Sequence, residues 1–118
     1  MNDNDLNYET LDEKRILEVQ KELPSDNDLN RLAEFYKIMG DPTRLKILIT
    51  LEKGEFCASD VANVVGMSRS AISHQFKALK AAKLVKSRKE GKTVFYSLDD
   101  SHIHSVLHVA FEHILEED

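Results

Sequence analysis

A mainly α-helical fold carrying one two-stranded β hairpin is what the sequence predicts, and three observations predict it. Apolar residues recur at helical spacing through most of the 118 residues, with Gly or Pro between the periodic stretches. Two short helical patterns meet at Gly66, the second opened by Ser68, which is the spacing of a helix-turn-helix. Two strand-like runs rich in Val, Phe and Tyr follow directly: Leu84 to Arg88 and Thr93 to Leu98, joined through Lys89-Glu90-Gly91-Lys92. A basic hairpin tip beside such a helix pair is a wing. The expected fold is therefore a winged helix-turn-helix over residues 11–118, behind a disordered tail of residues 1–10.

In chain order, Thr10 with Glu13 forms a capping box ahead of Ile16, Val19 and Leu23, and Pro24 ends that helix. It reads as an accessory packing arm. Ser25 or Asp26 caps the next helix, whose Leu29, Leu32, Phe35 or Tyr36, and Met39 recur at helical spacing until Gly40. Asp41 caps afresh with Pro42 at the first helical position, and Leu45, Leu48, Ile49 and Leu51 supply apolar surface. Both are expected to be core helices. Glu55-Phe56-Cys57 leads into a short helix, Ala58 to Val65, with Val61, Ala62 and Val65 turned inward. After Gly66, Ile72, Phe76 and Leu79 fall at i, i+4, i+7 and face the core. Asp99, Asp100 or Ser101 caps a last helix, roughly Ser101 to Glu116.

A composition of 42% hydrophobic and 31% charged residues fits one compact domain. No apolar run approaches membrane-spanning length, and the start, Met-Asn-Asp-Asn-Asp, is acidic rather than signal-like. A lone cysteine, Cys57, excludes an intrachain disulfide and fits a reducing compartment, so the protein is expected to be soluble and cytoplasmic with no membrane partner.

The net charge of −5 is unevenly spread. From Arg69 to Lys92 eight Lys and Arg residues face Glu90 alone, net +7, whereas the first thirty residues carry nine acids against three bases, net −6. A basic block in an acidic chain points to a directed anionic partner. The outer face of the helix after Ser68 offers Ser70, Ser73, His74 and Lys77, with Arg69 and Gln75 beside it. These groups reach phosphates or base edges without bulk. With Arg88, Lys89 and Lys92 of the wing they make the candidate interface for double-stranded DNA.

The last twenty residues hold His102, His104, His108 and His113 and no Lys or Arg. His102 and His113 fall about 20° apart in azimuth but roughly 16 Å apart along one helix, so one ion cannot touch both within it. Between them Val106, Val109 and Ala110 form an apolar seam suited to a partner helix. Two copies packed antiparallel about a twofold bring Asp100 and His102 of one toward His113 and Glu116 of the other. That makes two equivalent four-ligand sites per dimer, a plausible tetrahedral set for zinc with no open position for catalysis. His104 and His108 form a further i, i+4 pair on the opposite side of the helix.

Motif by motif, from about Asp28 to Glu116, the chain resembles the ArsR/SmtB family of winged-helix, metal-sensing repressors. Asp41-Pro42-Thr43-Arg44-Leu45-Lys46-Ile47-Leu48 is similar to the family's first signature, and Ser70-Ala71-Ile72-Ser73-His74-Gln75 to its recognition helix. Arg88-Lys89-Glu90-Gly91-Lys92 with Tyr96 is similar to its wing. Asp100-Ser101-His102 and His113-Ile114-Leu115-Glu116 are similar to its zinc-type site. Where other members place Cys-x-Cys, this chain has Cys57-Ala58-Ser59, so a soft-metal thiolate site is not expected and Cys57 reads as a small buried apolar residue.

The resemblance implies a homodimer, joined through its N- and C-terminal helices, that leaves operator DNA when zinc binds. The genes it implies are those of zinc efflux or sequestration. Cobalt or nickel in the same site, or a regulator with no metal whose histidines pack the dimer or sense pH, are the alternatives. For the coupling, a metal-bound His113 is expected to donate its second N–H to a carbonyl at the end of the recognition helix, that of Lys83 above all. One Cys without a base, no Gly-rich phosphate loop and a closed ligand set leave no enzyme and no small organic substrate to expect.

Overall fold

The computed structural model describes residues 8–116. In order these form α1 (Glu13–Glu22), α2 (Asp26–Met39), α3 (Pro42–Leu51), β1 (Phe56–Cys57), α4 (Ala58–Val65), α5 (Arg69–Ala81), β2 (Val85–Glu90), β3 (Thr93–Leu98) and α6 (Ser101–Leu115). Residues 1–7 of the expected tail lie outside the described residues, and Tyr8 to Thr10 have no helix or strand. The chain divides into two compact units at Leu32–Ala33, within α2.

In the first unit α1 starts later than the capping box predicts. Asp12, not Thr10, is the cap, its carboxylate accepting the Arg15 N–H at 3.0 Å. A carboxylate there also opposes the positive end of the helix dipole, an advantage a threonine lacks. Ser25 caps α2 as expected, its Oγ accepting from Asp28 N at 3.2 Å. Leu29 and Leu32 are 40% and 49% exposed, so the expectation that they belong to the core fails. Ile16, Val19 and Leu23 are exposed too, and α1 buries no residue. Two short helical segments hold too little apolar surface to seal one another.

The second unit has a continuous core. Asp41 caps α3 by accepting Arg44 N at 3.0 Å with Pro42 at the first position, and the helix buries Ile47, Leu48 and Leu51. Ile49, expected inward, is 37% exposed because it falls on the other face. Gly66 ends α4 in the left-handed region, φ 77°, where its N–H and that of Met67 both bond Ala62 O. Ser68 Oγ then accepts Ala71 N at 3.1 Å and starts α5, which buries Ile72, Phe76 and Leu79. The Phe76 ring stacks on Tyr96 at 3.9 Å between centroids.

The end of α5 folds back on itself. Leu84 N bonds Leu79 O and Lys83 N bonds Lys80 O, with Lys83 at φ 61°, the paired closure of a Schellman motif. The apolar contact that accompanies such a motif joins Leu79 to Leu84, both fully buried. The chain is thereby aimed into β2. The hairpin is longer and tighter than predicted: pairing runs from Val85↔Leu98 to Glu90↔Thr93, leaving Gly91 and Lys92 as the turn rather than four residues. Gly91 at φ 62° allows this two-residue turn, Gly standing first as type II′ requires. Nor is the sheet two-stranded: β1 pairs with β3 through Phe56↔Tyr96 and Cys57↔Phe95, giving the order β1-β3-β2.

Neighbouring side chains on α5 should behave oppositely. Phe76→Ala should cost about 3–5 kcal/mol of stability, whereas His74→Ala should stay within about 0.5 kcal/mol. Denaturant unfolding at fixed protein concentration checks both. Equal losses would contradict the assignment of faces.

Candidate nucleic-acid interface and metal half-sites

Burial of Ile72, Phe76 and Leu79 turns Arg69, Ser70, Ser73, His74 and Lys77 of α5 outward, and all five are exposed. Arg69 and Ser73 line a cleft of about 320 Å³ together with Ser59, Lys92 and Thr93, so the recognition helix and the hairpin tip share one surface. Lys80 Nζ donates to Ser87 Oγ at 2.7 Å and braces α5 against β2. Lys89 and Lys92 stand exposed on the hairpin. Cys57, half-buried, lines the same cleft.

Two members of the expected DNA-contacting set are already engaged. Gln75 is half-buried, its Oε1 accepting from Arg44 Nε at 3.0 Å, while Arg44 Nη1 donates to Ile38 O at 3.4 Å. Arg88 Nε donates to both carboxylate oxygens of Glu55, at 3.0 and 2.9 Å, and Nη1 to Glu90 at 2.9 Å. Its guanidinium also lies 4.7 Å from the centroid of Phe95. Hydrogen bonds to Glu90 and Glu55 hold its pKa above the ordinary value. Sequence reasoning missed Arg44 and Glu55 as partners, because the pairs span 31 and 33 residues and no local pattern marks them.

On α6, Asp100 is the N-cap. Its Oδ1 accepts from His102 N at 2.8 Å and Ile103 N at 3.3 Å, while Oδ2 lies 3.4 Å from His102 Nδ1. Partial desolvation raises its pKa, but these backbone donors and the His102 ring outweigh that and hold the carboxyl below its ordinary value. At the far end His113 Nδ1 lies 3.7 Å from Glu116 Oε2. Each end is thus an exposed imidazole beside a carboxylate. Among the described residues no three metal-type donors converge on one point. The donor chemistry fits a borderline ion such as zinc, with Asp100 Oδ2 left over from capping. The Lys83 carbonyl, expected to receive His113, takes part in none of the backbone bonds that close α5.

Between these two ends Val106 is half-buried and Val109 and Ala110 are exposed, Val109 by 64%. Ile103 and Leu107, on the stripe beside this seam, anchor the helix in the core. No helix among the described residues is long and apolar enough to cross a membrane.

Comparison with known proteins matches this architecture. Residues 41–87, from the cap of α3 to the middle of β2, fit the model of the family described as bacterial regulatory protein, arsR family. The chain is 35% identical over 105 residues to the transcriptional repressor SmtB homolog of a Synechocystis species, covering 89% of this chain and 80% of that protein. It is 39% identical over 102 residues to the cadmium resistance transcriptional regulatory protein CadC homolog of Staphylococcus aureus, covering 86% and 84%. In three dimensions it matches the homodimeric winged helix-turn-helix DNA-binding domain of a Mycobacterium bovis protein. That match has TM-score 0.70 and 31% identity, over 80% of this chain and 93% of that one. A winged helix-turn-helix with this extent of likeness belongs to the ArsR family of bacterial regulatory proteins, DNA-binding transcription regulators rather than enzymes.

Proposed function

We propose that the chain is a metal-responsive repressor that binds operator DNA as a homodimer in the cytoplasm and is released when zinc binds across the C-terminal helices. The observation that carries this is the layout of α6, with an imidazole–carboxylate half-site at each end and an uncovered apolar seam between them. Antiparallel pairing of two copies covers the seam and completes both half-sites at once. The exposed apolar residues of α1 extend the same need for a second copy, and the homodimeric M. bovis neighbour supports it. Zinc supplies a compact double charge and a cross-link. Asp100, His102, His113 and Glu116 would hold two ions per dimer, each shared between protomers.

The donors contain nitrogen and oxygen only, which separates cobalt and nickel from zinc poorly, so those ions are the second reading, decided by coordination number. The cadmium named for the Staphylococcus aureus relative would want sulfur, and Cys57 is this chain's one thiol. A regulator without metal draws on the capping role of Asp100, which accounts for that residue by itself.

On DNA, two α5 helices would enter successive major grooves about one helical turn apart, with Ser73 and His74 at base edges. Arg69, Ser70, Lys77, Lys89 and Lys92 would meet phosphates, and Gln75 and Arg88 join only on exchanging Arg44 and Glu55 for the duplex. In the loaded dimer His113 would donate its outer N–H to the Lys83 carbonyl, tying the ion to the end of the reading helix.

Ser73→Ala or His74→Ala should blunt preference for the operator over scrambled duplex. Lys89→Ala or Lys92→Ala should instead weaken both and lower the salt slope by about two units each, since the dimer loses one phosphate contact per protomer. Mixed dimers test the shared sites. Pairing a protomer lacking Asp100 and His102 with one lacking His113 and Glu116 should restore one tight zinc site that neither parent homodimer has, and its absence would reject the geometry. Asp100→Asn should keep the helix cap but weaken zinc, whereas Asp100→Ala should also lower the melting temperature. Unaltered zinc affinity in Asp100→Asn would leave the residue a cap alone.

A further inference from the structure

The side of α6 opposite His102 and His113 carries a second polar row, which the proposed repressor site does not use. His104 Nδ1 lies 2.8 Å from Oε2 of Glu52, the residue that ends α3, and only 18% of the Glu52 side chain is exposed. One turn along, the His108 ring stacks on that of His104, with centroids 5.9 Å apart and planes within 10°. His108 Nε2 in turn lies 3.1 Å from Glu112 Oε1. Among the described residues the ion pairs of Glu52 and Glu112 run to imidazoles only, and no Lys or Arg occurs from Asp99 to Asp118. Two carboxylates, one of them largely withdrawn from water, therefore stand beside two imidazoles with no Lys or Arg paired to them. A divalent cation is the partner such a set lacks.

We propose that Glu52, His104 and His108 form a second divalent-cation site contained within one protomer, for an ion of the zinc, cobalt or nickel class, with Glu112 holding the His108 ring in place. Two donor atoms each bound at about 2.0–2.2 Å to one such ion stand roughly 3 Å apart. The Glu52–His104 gap, 2.8 Å, already has that spacing. The donors are not a closed set, no three converging among the described residues. Binding draws the His108 side chain, 61% exposed, toward His104. Histidines at i and i+4 on one helix face are a spacing that zinc accepts in helical sites. An ion held there fastens α6 to the end of α3 inside the protomer, where the site bracketing the apolar seam needs a second copy.

The test uses the full-length protein and zinc alone, titrated against a chromophoric chelator. Asp100→Asn/His113→Asn disables the shared site. This variant should still bind one zinc per protomer, and adding His104→Gln/His108→Gln should abolish it. Glu52→Gln in the same background should weaken binding about tenfold or more. Adding zinc to Asp100→Asn/His113→Asn should shift the imidazole proton resonances of His104 and His108, a readout that needs no further substitution should the combined variant fail to fold. No zinc bound by Asp100→Asn/His113→Asn, or resonance shifts confined to His102, would overturn the proposal. Failure of the shared site appears separately, as parent protein binding no more zinc than this variant.

Discussion

The seating of Ile72, Phe76 and Leu79 in the core is the interaction on which the rest of the second unit depends. All three are at most 1% exposed. With one face of α5 sealed, helix geometry leaves Arg69, Ser70, Ser73, His74 and Lys77 no direction but outward. The same ridge places Leu79 against Leu84, which closes the left-handed turn at Lys83 and sends the chain into β2. Phe76 on Tyr96 fixes β3, and β3 carries the hairpin tip back beside the N-terminus of α5, where Lys92 meets Arg69 and Ser73 in one cleft. Reading helix and wing are thus set relative to each other by apolar packing, and their polar groups are held in place without having to create that place.

A different constraint governs α6. A helix is a rigid spacer, and eleven residues separate His102 from His113 by roughly 16 Å along the axis. In the proposed repressor the ends would therefore act as halves of a site, never as a whole one, and metal affinity would be a property of how two helices are paired. Ion binding would then be a choice between dimer arrangements, which is what allosteric control of a twofold DNA reader needs. Asp100 shows how one residue serves both purposes: Oδ1 satisfies the first backbone N–H groups of the helix, and Oδ2 is left over for His102 or an ion.

Much of this was legible in the sequence because the signals are local. Ser68, Asp41-Pro42 and Asp100 mark helix starts by their own chemistry, and the spacing of Ile72, Phe76 and Leu79 names the buried face. The hairpin was legible except at its turn, where Gly91 permits a tighter reversal than the polar run suggested. What escaped was long-range or marginal. The two residues of β1 are too few for a period, Asp12 displaced Thr10 as a cap, and the cover for Leu29 and Leu32 is not written in their own spacing. Arg44 with Gln75, Glu55 with Arg88 and Glu52 with His104 join distant segments, so charge and residue type alone could list these groups but not pair them.

The claim that zinc weakens DNA binding through the paired α6 helices is tested most directly by the operator dissociation constant of the homodimer, measured with and without saturating zinc at one salt concentration. A coupling of about 1–3 kcal/mol predicts a constant raised about 5 to 150-fold by zinc. A variant with His113 replaced by another ligating residue should keep much of its zinc affinity and lose that rise. A dissociation constant unchanged by saturating zinc in the parent protein would contradict the account.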